Sequence, residues 1–458
     1  MYKIKFSKDK PIYLQLYSAL KDEITTNYAV KDKLPSIREL AELNNISKTT
    51  VQNAYNQLFA EGYIYSKAKS GYYVSDFKID IKSKTSSKNS QIAQKQYYKY
   101  DFFPAKLNNS DFPLKTWRRL SNKALGSNID FSSYSDGAGN WELRVQIANY
   151  LNSFRGTNSS ASEIVITHGF SDSLSLVAKL LKPTINSFAM EYPGYRVARE
   201  VFSEYGYKIN KITLNKDGLD INCLQKSNAK LVYTTPSHQY PTGVIMPISN
   251  RLKLIQYMQN IGGYILEDDY DSELKYSSRP IPSMQGLAPS NTIYLGTFAK
   301  VLSPAIRVGF IVFPKELMSL FNKSYEANFS AVCEVTQKTL ALFMQEGHFS
   351  RHLRKVRKIN KIKHNLTLSL LQEHLKDSYK VVASGGGLAI LIMPTKPFDF
   401  KKFKTLAEKN SIKLYFTKEQ SGTESEALRL GFGGFSNSQL KEAIEQLSLI
   451  WHKSLSSI

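Results

Sequence analysis

The sequence predicts two domains of different class: a small, mainly helical domain over residues 1–76 and a larger α/β domain over residues 101–458. Three observations support this division. The chain has 458 residues, more than one hydrophobic core normally supports. Residues 1–76 are dense in helical periodicity, whereas strand-like runs alternate with longer helical stretches from residue 101 onward. Between them, residues 77–100 are Ser/Lys-rich and free of glycine, which predicts a flexible basic linker.

Composition and charge limit the classes of function that the chain can have. Lys and Arg number 61 against 39 Asp and Glu, and the resulting net charge of +22 is consistent with a polyanionic partner. Cys223 and Cys333 are the two cysteines, which excludes a disulfide framework and a four-cysteine metal site, and we expect no bound metal. We find neither a signal-peptide apolar core nor an apolar run near the roughly 18 residues of a membrane span. We therefore expect a cytoplasmic, reduced protein.

The first helix of the N-terminal domain is predicted from Pro11 to about Asn27. Four apolar residues spaced four apart define its buried face: Ile12, Leu16, Leu20 and Ile24. Ser36 followed by Glu39 is a capping box, in which each side chain satisfies a free backbone N–H at a helix start. This box begins a second helix, which we predict to run to about Leu43.

A third helix begins after Ser47, which can cap it. Four of its residues recur at helical spacing and predict the buried face: Val51, Ala54, Tyr55 and Leu58. Four others point outward near its N-terminus: Lys48, Thr49, Gln52 and Asn53. Two helices joined by a short turn, with polar side chains at the start of the second, form the helix-turn-helix arrangement of DNA-binding proteins.

A hairpin is predicted after the third helix, with strands Tyr63–Ser66 and Gly71–Val74. Its turn contains Lys67, Lys69 and Ser70, which would lie near phosphates if the hairpin is the wing of a DNA-binding domain. The alternative is a helical bundle with a hairpin and no role in DNA binding, because helix-turn-helix shapes also occur in other proteins.

The stretch from Pro11 to Val74 resembles a GntR-type winged helix-turn-helix. The resemblance rests on LPSIREL, on the spacing SKTTVQNAYNQLFAEG and on the glycine-containing wing. It implies binding of promoter DNA by ten residues: Ser36, Arg38, Lys48, Thr49, Thr50, Gln52, Asn53, Lys67, Lys69 and Ser70. Lys48 stands where the family more often has arginine, and lysine lacks the bidentate fork of arginine, so we expect softer base selectivity there.

Reactive and charged residues follow two predicted strands of the larger domain. Asp268 and Tyr270 follow the apolar run Tyr264–Leu266, and Lys300 follows the strand Thr292–Leu295 in an apolar, hydroxyl-containing segment. Such a segment disfavours the charged form of a lysine and makes its amine nucleophilic. Two further residues beside Lys300 can bind phosphate: Thr297 and Arg307. The alternatives are an acidic loop or hard-metal site around Asp268, and an ordinary surface lysine at position 300.

A strand, a glycine turn and a helix are predicted from EIVITHGFSDSLSLVAKLL. Gly169 permits the tight turn, and the N–H groups of Phe170, Ser171 and Asp172 at the helix start can hold a phosphate. Tyr195, after another strand, could stack on an aromatic ligand or simply pack at the rim of the core. A lysine, a carboxylate, a tyrosine, an aromatic face and phosphate donors together are what pyridoxal phosphate requires.

Residues 101–452 resemble the fold-type-I aminotransferases, and the whole chain resembles the MocR-type transcription regulators. TTPSHQYPTG, EDDYDSE and GTFAK carry this resemblance. It implies a mostly parallel central sheet with flanking helices and a small C-terminal subdomain. It also implies a Schiff base between Lys300 and pyridoxal phosphate, Asp268 at the pyridine nitrogen and Tyr270 at the phenolic oxygen.

The same resemblance assigns the remaining binding residues. It implies phosphate binding by Ser171, Thr297, Arg307 and the Phe170 amide. Tyr134 matches a tyrosine that reaches the phosphate of a neighbouring subunit, which implies a homodimer, with a head-to-tail, domain-swapped arrangement as one form. Arg429 matches an arginine that binds a ligand carboxylate with two hydrogen bonds.

Two departures from the aminotransferase pattern bear on function. Tyr240, which the resemblance places among the cofactor-binding residues, occupies the position of the Asn of NPTG in typical aminotransferases. This favours a regulator over an enzyme with sustained turnover. Val197 stands where the γ-aminobutyrate-sensing subgroup has arginine, and Arg196 lies one place away. We therefore expect a regulator that senses pyridoxal phosphate or its adduct with an amine, and that controls vitamin B6 or amino-acid and amine metabolism.

Three alternatives stay open at this point. The chain could be an active aminotransferase with an appended DNA-binding domain, or a γ-aminobutyrate-type regulator that responds to an amino acid. It could also be a repressor whose large domain binds no cofactor. A further open question is the basic segment 347–365, which is either a solvated helix face or a surface that contacts the phosphates of bent DNA.

Overall fold

The computed structural model describes residues 3–7, 9–76, 97–127, 129–276, 281–325, 329–418 and 426–455. The chain divides into two compact units, residues 1–94 and 95–458. The predicted linker lies outside the described residues up to position 96, and its last residue, Tyr100, already belongs to a strand of the second unit. No helix within these ranges is long and apolar enough to cross a membrane.

The first unit contains three helices and a hairpin. They are α1 (Ile12–Thr26), α2 (Ile37–Asn44), α3 (Lys48–Ala60), β1 (Ile64–Lys67) and β2 (Gly71–Val74). The predicted capping box is confirmed, since the Glu39 N–H donates to Ser36 Oγ at 3.2 Å and the Ser36 N–H donates to Glu39 Oε2 at 2.8 Å. Ser47 Oγ accepts from the Thr50 N–H at 3.1 Å and caps α3 as predicted.

The predicted core of the first unit is confirmed at α3 and corrected at α1 and at the wing. In α1, Leu16 and Ile24 are buried, whereas Leu20 is half-buried and Ile12 is 43% exposed, because Ile12 is the first residue of the helix. The four core positions of α3 are fully buried: Val51, Ala54, Tyr55 and Leu58. The first strand begins at Ile64 rather than Tyr63, and Lys67 is the last strand residue, opposite Gly71, rather than part of the turn. The first strand therefore extends one residue further than predicted, since Lys67 still pairs with the second strand. The turn follows, with Lys69 at φ +59°.

The second unit alternates strands and helices as predicted. Its described strands are β3 (Tyr100–Asp101), β4 (Ile164–Thr167), β5 (Ser187–Tyr192), β6 (Lys208–Asn215), β7 (Gly218–Leu219), β8 (Leu231–Thr234), β9 (Tyr264–Asp268), β10 (Thr292–Thr297), β11 (Gly309–Val312), β12 (Tyr379–Ala383), β13 (Ala389–Pro394), β14 (Ile412–Lys413), β15 (Tyr415–Lys418) and β16 (Glu426–Gly431). Its described α-helices are α4 (Leu114–Leu125), α5 (Trp141–Arg155), α6 (Phe170–Leu181), α7 (Arg196–Glu204), α8 (Ile221–Ser227), α9 (Ile248–Asn260), α10 (Met284–Leu287), α11 (Lys315–Ser324), α12 (Glu334–Gln345), α13 (His348–Leu375), α14 (Phe400–Lys409) and α15 (Asn437–Ser454).

The central sheet has the order β4-β11-β10-β9-β8-β5-β6-β7 over the part of the chain that the structure describes. The run β10-β9-β8-β5-β6 is parallel, and the other pairings are antiparallel. Because helices cover both faces, the central strands are buried almost throughout and carry apolar runs rather than alternating patterns. The carboxyl ends of β8, β9 and β10 lie at one edge, where open α/β sheets place their ligands.

A smaller antiparallel sheet, in the order β12-β13-β16-β15, forms the predicted C-terminal subdomain with its own core. Phe403 and Trp451 pack edge to face in that core at 5.6 Å between ring centroids. The chain enters the second unit along this subdomain, since β3 pairs in parallel with β14 and the Gly431 N–H of β16 donates to the Phe102 carbonyl at 3.1 Å.

Candidate functional site

A cavity of about 350 Å³ lies at the carboxyl ends of β9 and β10. The structure brings nine of the residues predicted from sequence into its lining: Phe170, Tyr195, Tyr240, Asp268, Tyr270, Thr297, Lys300, Arg307 and Arg429. These residues come from widely separated parts of the sequence. The parallel strands and the antiparallel β16 bring them together, so the motifs that were recognised separately form one site.

Asp268 is the last residue of β9 and its side chain is buried. Tyr233 of the neighbouring strand β8 donates a hydrogen bond to Oδ2, whereas Oδ1 has no hydrogen-bond partner among the described residues. Burial raises the pKa of Asp268 well above its ordinary value, and the carboxylates of Asp269 and Asp271 raise it further. An unpartnered acceptor in a residue that lines a cavity is a site for a ligand N–H donor.

Lys300 follows the end of β10 by three residues and is half-buried in the cavity wall. Burial lowers the pKa of its amine to about 8; the carboxylates of Asp271 and Asp268 oppose this effect, and Arg429 adds to it. A lysine with such a pKa is partly neutral near physiological pH and is a nucleophile toward carbonyl carbons.

One group of residues at the cavity is suited to bind an anion. Arg307 donates from Nη2 to the His168 carbonyl at 3.0 Å, which places its guanidinium beside the start of α6. Gly169, at φ +84°, precedes that helix, and a Cβ atom at this position would lie 2.6 Å from Arg307 Nη2. Thr297 lines the same cavity, whereas Ser171 is exposed in the first turn of α6 and is not part of the lining. A cation beside a helix N-terminus favours a phosphate group.

The cavity lining also contains a tyrosine–arginine pair. Arg429 donates from Nη1 to the Tyr240 hydroxyl, and its guanidinium carbon lies 4.4 Å from the centroid of the Tyr240 ring. Tyr195 packs edge to face against Tyr240 at 5.4 Å between centroids. The arginine predicted to bind a ligand carboxylate is therefore already in contact with a protein side chain.

Sequence reasoning missed two polar residues of the lining, His238 and Asp271. His238 Nδ1 lies 2.8 Å from Asp271 Oδ2, and the Tyr270 hydroxyl donates to the His238 carbonyl at 3.1 Å. Both residues stand inside motifs that carried the resemblance, TTPSHQYPTG and EDDYDSE, so the motifs themselves were the available signal. Residues 103–105 also line the cavity, and nothing in their composition indicated this.

Besides Ser171, three residues assigned or weighed from the sequence lie outside the cavity lining. Tyr134 is 78% exposed and stacks on Phe329 at 4.2 Å between ring centroids. Val197 packs against the core of the central sheet, and Arg196 is exposed and pairs with Glu200 at 3.3 Å. Neither position 196 nor position 197 supplies a cation to the cavity.

The start of α3 presents a polar surface in the first unit. Lys48, Thr49 and Asn53 are exposed, and Thr50 is half-buried beside its cap. Gln52 donates to Tyr72 OH of the wing at 3.1 Å and to Asn56 Oδ1 at 2.9 Å, so this side chain connects α3 to the hairpin.

Four of the other predicted DNA-binding residues, Ser36, Arg38, Lys67 and Ser70, have partners within the same unit. The Lys67 amine lies 4.7 Å from the centroid of the Tyr73 ring, and the Ser70 and Tyr73 hydroxyls are 2.6 Å apart. Arg38 pairs with Glu42 at 3.0 Å, and Ser36 serves the capping box. Lys69 is exposed at the turn of the hairpin.

The basic segment 347–365 lies on α13 and only part of it is solvated. Arg357 donates to the Glu273 carbonyl at 2.9 Å, and the buried Lys363 donates to the Gly433 carbonyl at 3.0 Å. The exposed cations of this segment are Arg351, Arg354, Lys355, Lys358 and Lys361.

Comparison with known proteins accounts for both units. Residues 12–74 match the gntR family of bacterial regulatory proteins, and residues 105–447 match aminotransferase class I and II. The HTH-type transcriptional regulator YdeL of Bacillus subtilis is 34% identical over 97% of each chain. The probable rhizopine catabolism regulatory protein MocR of Rhizobium meliloti is 29% identical over 96% of this chain and 93% of its own.

A further relative and two solved structures agree with this assignment. The pyridoxine biosynthesis regulator PdxR of Corynebacterium glutamicum is 27% identical over 91% of this chain and 90% of its own. Kynurenine aminotransferase of Pyrococcus horikoshii superposes with a TM-score of 0.68 at 23% identity over 79% of this chain and 93% of its own. LysN of Thermus thermophilus superposes with a TM-score of 0.67 at 24% identity, over 77% and 92%. The chain belongs to the MocR-type family of HTH transcriptional regulators, in which a gntR-type DNA-binding domain is joined to a domain of the aminotransferase class I and II fold.

Proposed function

We propose that this regulator binds pyridoxal phosphate in the cavity of its second unit, and that the state of this cofactor changes the affinity of the first unit for promoter DNA. One observation carries the proposal: the buried Asp268 has an unpartnered Oδ1 in the same cavity as the Lys300 amine. A buried acceptor without a donor is costly unless a ligand supplies the donor.

The residues of the cavity fit the functional groups of the cofactor. Asp268 Oδ1 can accept the N–H of a protonated pyridine ring, and the positive charge would favour the carboxylate form. When bound, the cofactor supplies an aldehyde that forms a covalent bond with an amine, and Lys300 is the amine of this cavity. Arg307, Thr297 and the start of α6 would hold the phosphate, and Tyr195 would face the ring.

The DNA half of the proposal rests on the gntR-type domain and on the polar start of α3. Lys48, Thr49 and Asn53 are exposed there and can reach phosphates and base edges. A ligand changes DNA affinity only if it binds two states of the protein with different free energies. The proposal therefore requires that cofactor uptake be coupled to DNA binding.

The regulated genes that we propose are those of vitamin B6 or of amine and amino-acid metabolism. The name of PdxR, a regulator of pyridoxine biosynthesis, supports the first. The second is supported by the regulator MocR, which is named for rhizopine catabolism. A γ-aminobutyrate-type signal is disfavoured, because Val197 is packed against the core and Arg196 pairs with Glu200 outside the cavity.

The test replaces the reactive amine. We expect Lys300→Ala to lose both the absorbance of the lysine-bound cofactor and the cofactor-dependent change in promoter affinity, measured by spectrophotometry and gel shift. Lys315→Ala, at an exposed lysine of α11, is the matched control and should keep both. A Lys300→Ala protein whose DNA affinity still responds to pyridoxal phosphate would contradict the proposal.

An active aminotransferase is the second candidate, and it is favoured by the presence of Lys300, Asp268 and Arg429 in one cavity. The contact between Arg429 and Tyr240 argues against it, because a substrate carboxylate would need that arginine. Multiple turnovers with an amino acid and a keto acid would favour the aminotransferase over the regulator, whereas a single conversion of the cofactor would not. A protein that stays colourless with pyridoxal phosphate would favour a cofactor-free repressor.

A further inference from the structure

Arg429 differs from the other cations of the cavity lining, because an aromatic side chain covers it. Lys300 and Arg307 are the other two cations among the described lining residues. The Arg429 guanidinium lies over the Tyr240 ring, 4.4 Å from its centroid, and donates from Nη1 to the phenol oxygen of the same residue. One face and one N–H of the arginine are therefore taken up by Tyr240.

The loop that carries Tyr240 holds this residue in place. Its N–H donates to Thr235 Oγ1 at 3.1 Å, and its carbonyl accepts from Gln239 Nε2. The Gln239 side chain also donates to the buried Glu191 at 3.2 Å and to the Pro193 carbonyl at 2.9 Å. Hydrogen bonds to both the N–H and the carbonyl of Tyr240 fix its backbone. They thereby hold its side chain in contact with Arg429.

This contact weakens the arginine as a receptor for carboxylates. A carboxylate binds arginine best through two parallel N–H···O bonds. Near Arg429 the carboxylate oxygens of the ligand would lie close to the phenol oxygen of Tyr240, which already accepts a hydrogen bond from the same guanidinium. The carboxylate must therefore displace that hydrogen bond or bind with fewer of its own, and a hydrogen bond to a charged group contributes substantially to affinity.

We propose that Tyr240 is a specificity-determining residue that lowers the affinity of the cavity for amines with a carboxylate next to the nitrogen. Amines without this carboxylate do not need Arg429 and keep their affinity. The ligand class selected is thus a primary amine without an α-carboxylate, in addition to the cofactor itself. The inference rests on the proposed function, since it concerns an amine that meets the bound cofactor.

The test compares L-alanine with ethylamine, two amines that differ by the carboxylate. Either amine would replace Lys300 at the cofactor carbon to which the lysine nitrogen is bonded. One C=N bond replaces another, the lysine leaves as a free amine, and no oxidant or reductant is involved. The readout is the apparent Kd of each amine, from spectral titration of the cofactor-loaded full-length protein.

The variant Tyr240→Phe removes the hydroxyl and keeps the ring. We expect it to bind L-alanine about tenfold more tightly than the wild type and to leave the Kd of ethylamine within about twofold, because an N–H of Arg429 is released. Arg429→Gln should have little effect on L-alanine in the wild type, and should cancel the gain in the Tyr240→Phe background. Tyr207→Phe, which removes a hydroxyl that donates to the Ala178 carbonyl, is the matched control and should change neither Kd.

The outcomes separate this inference from the proposed function. A wild type that takes up no cofactor overturns both. A wild type that takes up the cofactor, with a Tyr240→Phe variant whose ratio of the two Kd values is unchanged, overturns this inference alone. A weaker binding of L-alanine by Tyr240→Phe also overturns it, since Tyr240 would then assist the arginine in binding the carboxylate.

Discussion

At the scale of single residues, the chemistry of the cavity depends on groups whose pKa values are shifted by burial. Asp268 and Lys300 were identified from motifs, and both lie in the cavity lining. The partners that tune them could not be identified in the same way. Tyr233 donates a hydrogen bond to Asp268, but in the sequence it is one tyrosine within an apolar run. The parallel pairing of β8 with β9 brings it next to Asp268.

The pKa of Lys300 makes a prediction about pH. Burial lowers this pKa from its ordinary value of 10.5 to about 8, so the neutral, reactive amine should already be half-populated near pH 8. We expect the rate of cofactor incorporation at Lys300, followed by absorbance, to rise up to about pH 8 and then level off. A rate that still climbs tenfold per pH unit between pH 9 and 10 would show an ordinary lysine.

At the scale of elements, the turn between β4 and α6 brings Gly169 and Phe170 into the cavity lining beside Arg307. The sequence predicted the strand, the glycine turn and the helix from EIVITHGFSDSLSLVAKLL. It did not show how closely Arg307 approaches Gly169, because that contact depends on the antiparallel pairing of β11 with β4. The role of this glycine therefore has two parts: its positive φ and the space it leaves for the guanidinium.

Gly169→Ala tests the importance of this glycine for cofactor binding. The added Cβ would lie 2.6 Å from Arg307 Nη2, and we expect the affinity for pyridoxal phosphate to fall about tenfold or more because the arginine must move. Gly262→Ala is the matched control, since Gly262 also has a positive φ, +61°, and a Cβ added there would meet no atom within 4 Å. Titration with cofactor measures the effect; an equal loss in both variants would contradict a specific effect of the contact with Arg307.

The start of α3 makes a prediction about DNA. Lys48 is exposed in the first turn, and we expect Lys48→Ala to weaken operator binding. The slope of log affinity against log salt concentration should fall by about one, because one phosphate contact with its released counterion is lost. Lys226→Ala, at an exposed lysine of α8, should leave the slope unchanged, and both variants should take up cofactor normally. An unchanged slope for Lys48→Ala in gel-shift assays would remove this residue from the interface.

At the scale of the whole molecule, the two-domain organisation was predictable because composition and periodicity change along the chain. The order of strands in the central sheet was not predicted, since periodicity gives the type of an element but not its neighbours. The same limit explains why residues 103–105 were missed. Their side chains carry no polar or reactive group, and they reach the cavity because β3 pairs with β14.

Stability should depend on pH through the half-buried carboxyl group of Glu273. Tyr150 donates a hydrogen bond to Glu273 Oε1 at 2.8 Å, and burial raises the pKa of Glu273 from 4.5 to about 7. Above pH 4.5 the unfolded chain loses this proton while the folded chain keeps it, so the contribution of Glu273 to folding becomes less favourable up to about pH 7.

Glu273→Gln removes that dependence while keeping an acceptor for Tyr150. We expect the variant to differ little from the wild type at pH 5 and to be more stable at pH 8 by roughly 1–3 kcal/mol, measured by denaturant unfolding. Glu445→Gln, at an exposed position of α15, should change stability equally at both pH values. A variant that is less stable than the wild type at pH 8 would contradict this account of Glu273.

The route by which the chain enters the second unit has a mechanical consequence. Residues 103–105 form part of the cavity wall only a few positions after the segment that leads from the DNA-binding domain. The Phe102 carbonyl is bonded to Gly431 on the strand that also carries Arg429. A ligand that displaces this strand would therefore also displace Phe102 through one backbone hydrogen bond, next to the point at which the chain enters the second unit.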